Sequence, residues 1–212
     1  MYARLLATFC LLYVSIASGS DLEVGSSVVV YLKPADSLST AAISETKAEL
    51  AILLRAIGTR VIWWDAEKSP SGTDHVLIVA DFTGTCSLTE SVYPPPDISS
   101  LPPLAHAPVA NGQVLPFAYV DCTTLNQLLG PVLARQSTEP REYMYGRAIG
   151  RLLAHEIHHI LAQTRDHAAA GIAKPHFSSK DLLTARFEFE PDTIARSQIP
   201  PSPRLLQIRA RH

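Results

Sequence analysis

The residues with the clearest chemistry lie in the stretch Ala154-His155-Glu156-Ile157-His158-His159-Ile160, with His167 eight positions after His159. His155, Glu156 and His159 form an H-E-x-x-H pattern. On a helix, residues four apart share a face, so the two imidazoles can meet at one point. A zinc ion there would take both nitrogens at about 2.0–2.1 Å and leave places for a third protein ligand and a water. Glu156 is not expected to bind the metal; beside it, the carboxylate can accept the water's proton. His158 reads as a wall residue, because pairing it with His155 would cost Glu156 that relation to the metal. His167 is the candidate third ligand. His176, Glu188 and Glu190 are its rivals, and a glutamate would complete a His2Glu site.

The spacing has meaning only on a helix, and the flanking residues provide one. Ser137 or Thr138 offers a cap, Pro140 suits the first turn, and Glu139 and Glu142 favour the positive helix start. Ala148, Ile149, Leu152, Leu153, Ile157 and Ile160 recur at helical spacing through residues 141–163. Gly146 and Gly150 cost helix propensity, which close packing against a neighbour would explain. A continuous helix would carry His167 about 12 Å along the axis from His159. His167 can therefore share an ion only if the helix ends near Gln163–Arg165 and the chain turns back.

Upstream, Val28 to Leu32 reads as a buried strand. Ser39 or Thr40 can cap a helix carrying Ile43, Leu50, Leu53, Leu54 and Ile57, stopped at Gly58. Strands follow at Arg60–Asp65 and His75–Phe82, separated by a turn at Ser69-Pro70-Ser71-Gly72. Val92 to Pro108 is a proline- and serine-rich irregular segment. Asn111-Gly112 signals a tight hairpin over 109–114, and Phe117 to Val120 a further strand. Asp121 or Thr123 can cap a short helix ending near Gly130-Pro131. After the motif, Phe177 to Asp181 opens a short helix through Leu182 and Leu183. Arg186 to Glu190 alternates charge with phenylalanine and suggests a short strand.

The 212 residues, 47% of them hydrophobic, suffice for one core, and we expect a single domain over 21–195. Eighteen basic against 20 acidic residues, without a basic run, speak against a nucleic-acid partner. Residues 1–20 read as a secretory signal: Arg4, a short apolar run from Leu5 to Ile16, then Ala17-Ser18-Gly19. An uncleaved anchor is the alternative, although the run is short for a membrane span. Cleavage leaves Cys86 and Cys122, expected to form one disulfide in an exported chain, the alternative being two buried thiols. Residues 196–212, rich in proline and arginine, read as a mobile tail.

The order strand–helix–strand–strand, irregular segment, hairpin and motif helix resembles the metzincin group of zinc metallopeptidases. Its members carry H-E-x-x-H-x-x-G-x-x-H and then a turn bearing a methionine beneath the metal. His155, Glu156 and His159 match. Ala162 stands at the family's glycine, Arg165 at its third histidine, and His167 lies two residues further on. The chain is similar to an exported bacterial branch with this longer gap. Gly171-Ile172-Ala173-Lys174-Pro175 resembles the methionine turn with Ala173 in the methionine's place; the methionines present are Met1 and Met144. The resemblance implies an α+β fold of zincin type, a twisted mixed sheet packed on helices. It also implies one Zn2+ held by His155, His159 and His167, Glu156 as general base, and a polypeptide substrate aligned along an edge strand near the Asn111–Val114 hairpin. The expected activity is that of an exported zinc metalloendopeptidase. Two alternatives stay open: an exported zinc protein without catalysis, and a metal-free protein whose motif is accidental.

Overall fold

The computed structural model describes residues 26–33, 35–64, 76–88, 94, 96–97 and 100–197. The expected signal over 1–20, the Ser69–Gly72 turn, His75 and, of the tail expected over 196–212, residues 198–212 lie outside the described residues, while residues 196 and 197 belong to a helix.

A five-stranded sheet carries the fold. Its strands are β1 (Ser26–Leu32), β2 (Thr59–Trp63), β3 (Val76–Thr83), β4 (Ala105–His106) and β7 (Phe117–Asp121), ordered β2-β1-β3-β7-β4. β1 pairs in parallel with β2 and β3, and β3 with β7, while β4 runs antiparallel to β7 at the edge. β-Branched runs such as Val28-Val29-Val30 suit strands buried on both faces. Val28, Val30, Ile78, Ala80, Ala118 and Val120 are fully buried. The molecule is thus α+β, with a mixed sheet packed against helices. β5 (Val109–Ala110) and β6 (Gln113–Val114) form the expected hairpin, with Asn111 and Gly112 both at positive φ, 52° and 75°. β4 itself falls inside the segment read as irregular.

Helix α1 (Thr40–Ala56) starts where Ser39 Oγ accepts from Ala42 N at 3.1 Å, and it is followed by Gly58 at φ 78°. Helix α3 (Thr138–Ala162) packs along it. A Cβ on Gly146 would stand 2.3 Å from the Ala42 carbonyl oxygen, and one on Gly150 would stand 2.9 Å from Glu49 Cβ. These glycines let two backbones touch, and Thr46 Oγ1 donates to the Gly146 carbonyl across the seam at 3.0 Å.

Helix α2 (Cys122–Leu133) is capped by Asp121, whose carboxylate accepts from Thr124 N at 2.9 Å. It ends at Leu133, two residues past the Gly130-Pro131 pair near which it was expected to stop. Pro131 falls in the last turn, where a proline removes one backbone bond; Ala134 N still reaches Gly130 O at 3.0 Å, and Leu133 is fully buried. Cys86 and Cys122 are joined, tying the segment after β3 to the start of α2.

Helix α4 (Ser179–Leu183) opens on a capping box between Ser178 and Asp181, and α5 (Pro191–Ser197) closes the described chain. The strand expected at Arg186–Glu190 is irregular chain. Glu188 O accepts from Ile172 N at 3.0 Å, and Phe187 and Phe189 turn towards side chains of the core instead of a pleated neighbour. No helix among the described residues is long and apolar enough to cross a membrane.

Candidate metal centre

The last turns of α3 are buried all round, so His155, Glu156 and His159 stand on a rigid support. One helical turn separates the two histidines, and their Nε2 atoms face each other at 3.0 Å. The opposite ring nitrogens are already committed. His155 Nδ1 donates to the Ile172 carbonyl at 2.7 Å, and His159 Nδ1 donates to the Thr164 carbonyl at 2.9 Å. A carbonyl oxygen only accepts, so in each neutral ring the hydrogen sits on Nδ1 and the Nε2 lone pair is bare. Two bare lone pairs at this distance repel unless a cation joins them. Carbonyl partners on the far nitrogen are also the usual way a ligating histidine is oriented.

His167 completes the group. Helix α3 ends at Gln163, which takes the left-handed conformation (φ 49°, ψ 40°), and the chain turns back as His167 requires. Its ring centroid lies 5.3 Å from that of His155 and 4.9 Å from that of His159. One nitrogen from each ring lies within 4.8 Å of the others. Ligands at 2.0–2.1 Å in a tetrahedron stand about 3.3 Å apart, so a small inward movement of the exposed His167 closes the set. The donor set thus fits a metal ion. Of the rivals, His176 and Glu188 are exposed, and Glu190 accepts from Ala170 N at 3.3 Å; none joins the cluster. His158 is a wall residue, its ring 5.4 Å from that of Phe189.

Burial shapes the electrostatics. It pushes His155 down to about 3, against the opposing pull of the Ile172 carbonyl; the neighbouring histidines lower it further. His159 is lowered by the same burial, with the Thr164 carbonyl opposing. Neutral imidazole, the form that ligates, is therefore favoured. Glu156 is pushed up to about 7 by burial, while the Ala107 N–H, one residue past β4, works the other way. A Glu156 carboxylate oxygen stands 4.0 Å from His155 Nε2.

Further residues support the histidines: the Gly171–Pro175 turn was already singled out in the sequence, whereas the roles of Phe177 and Arg151 were not. The turn after Gly171 (φ 68°) delivers the Ile172 carbonyl to His155 and buries Ala173. Phe177 sets its ring edge-on to His155 at 5.2 Å and to Phe187 at 5.8 Å. One turn before His155, buried Arg151 bonds Glu49 Oε1 at 2.7 Å and the carbonyls of Asp181, Leu182 and Thr184. An arginine inside an apolar helical stripe was the available signal.

The sequence matches no protein-family model and no curated protein.

Proposed function

We propose that this chain is an exported, metzincin-like zinc metallopeptidase, with His155, His159 and His167 as ligands and Glu156 as general base. The observation that carries the reading is the pair of Nε2 lone pairs at 3.0 Å, each fixed by a carbonyl on the other nitrogen, with a third histidine closing on them. When bound, zinc acidifies water and polarises a carbonyl oxygen. Glu156, with a pKa near physiological pH, takes a proton beside the metal and returns it to the leaving amine. The Ala107 N–H holds that carboxylate towards the sheet edge.

The same edge supports a peptide substrate. Among the described residues β4 is the outermost strand, and it bonds β7 on one side. An extended peptide laid along the other side would gain main-chain hydrogen bonds with little sequence demand, next to Glu156. The hairpin expected at that edge follows β4 directly, with Leu115 N bonded to Pro108 O at 2.8 Å. The disulfide supports an oxidising compartment.

Glu156→Gln is expected to retain one equivalent of zinc and lose peptide hydrolysis, whereas His155→Ala loses the metal. Wild-type cleavage rates in Glu156→Gln on a mixed peptide library sink the mechanism. The second reading is a zinc protein without catalysis, favoured by Ala173 where the family has methionine. Stoichiometric zinc with no chelator-sensitive proteolysis selects it.

A further inference from the structure

We propose that Gln163 is the positioning residue that brings His167 to the metal, doing through its side-chain amide what a glycine does at other helix ends. The inference rests on the metal reading above. No glycine lies between His159 and His167, yet the chain must reverse there. Gln163 makes the reversal itself at φ 49°, a region that disfavours a residue with a Cβ. Its amide holds it there. Nε2 donates to the Ile160 carbonyl at 2.8 Å and to the Val114 carbonyl at 2.9 Å, while Oε1 accepts from Val114 N at 3.1 Å.

The amide therefore pairs with Val114 as a neighbouring strand would, and locks the end of α3 to the β5–β6 hairpin. Two consequences follow in the next residues. Gln163 N–H and Thr164 N both turn to the His159 carbonyl. The Thr164 carbonyl then accepts from His159 Nδ1 at 2.9 Å, fixing the tautomer of the second ligand. Asp166 N bonds Thr164 Oγ1 at 3.0 Å, and His167 follows, over the His155–His159 pair. One side chain thus orients one ligand and delivers another.

The test is zinc affinity of the full chain stripped with chelator, measured by competition with a chromophoric chelator. Gln163→Leu is expected to bind zinc about 10–100-fold more weakly, the range for residues that orient ligands. In a His167→Ala background the same substitution should cost clearly less, because only the part acting through the Thr164 carbonyl on His159 is left. Unchanged affinity in Gln163→Leu overturns the inference alone, as does an equal fold-loss with and without His167. Absence of zinc uptake by the wild type overturns the metal reading and this inference together. Where Gln163→Leu does not fold, Gln163→Gly keeps the backbone turn, removes the amide and carries the same cycle. A smaller loss that shrinks further without His167 is then expected, and an equal loss with and without His167 refutes the role.

Discussion

Arg151→Met is the substitution whose cost the structure defines best. The guanidinium is 1% exposed and lies 2.7 Å from a Glu49 carboxylate that is itself 13% exposed. Its Nη1 also donates to the carbonyls of Asp181, Leu182 and Thr184 at 2.9–3.1 Å. Short helix α4 ends among those carbonyls, so α3 supplies the donor that α4 lacks. Methionine keeps much of the stem's volume and removes every donor. Breaking a buried pair by taking one partner costs about 3–5 kcal/mol. At roughly 2–4 °C per kcal/mol for a domain of this size, the melting temperature should fall by about 6–20 °C. Urea denaturation of both proteins in chelator measures the loss without any contribution from metal. Removing the stranded charge as well, in Arg151→Met/Glu49→Met, should recover about 1–3 kcal/mol while α4 stays uncapped. Arg151→Lys, with a charge but no fork, should fall between. A loss below about 1 kcal/mol in Arg151→Met would show that these bonds do not hold the two helices together.

Two further outcomes follow from the same structure. The folded His155 ring resists protonation down to about 3, whereas the unfolded ring titrates normally, so below about pH 6.5 the unfolded state binds the extra proton. Stability of the metal-free protein should thus drop as pH falls, by about 2 kcal/mol from this residue at pH 5, and an identical pH slope in His155→Gln denaturation curves refutes it. Gly146→Ala gains about 1 kcal/mol of helix propensity but drives a Cβ to 2.3 Å from the Ala42 carbonyl and strains the Thr46–Gly146 bond. A net loss of about 2–4 kcal/mol is expected by urea denaturation, and a neutral result would mean that α1 can retreat.

Much of this molecule was legible from local chemistry. Ser39, Asp121 and Ser178 cap the helices they precede, and Asn111-Gly112 turns the hairpin. The paired glycines of α3 do mark a close neighbour. His155, Glu156 and His159 needed only a helix to converge. What escaped depends on distant partners. β4 is two residues long within a proline-rich stretch, too short to show alternation, and exists because β7 offers an edge. The alternating phenylalanines of 186–190 mimic a strand, but Phe189 packs on His158 and Phe187 on Phe177. His167 was recognisable as a histidine at a suggestive offset; its route back was not, because a glutamine seldom turns left-handed without tertiary bonds.

The Cys86–Cys122 bond encloses β4, the hairpin and β7 in one covalent ring. Closing a ring of 36 residues in the unfolded chain is worth about 4 kcal/mol by loop entropy. That is a sizeable part of the 5–15 kcal/mol on which a typical domain stands. A copy stranded among cellular thiols would forfeit it, and the ring it forfeits contains the strand flanking Glu156. Reduction of this one bond would thereby reach the segment beside Glu156, because the freed ring includes β4 and the Ala107 N–H that follows it.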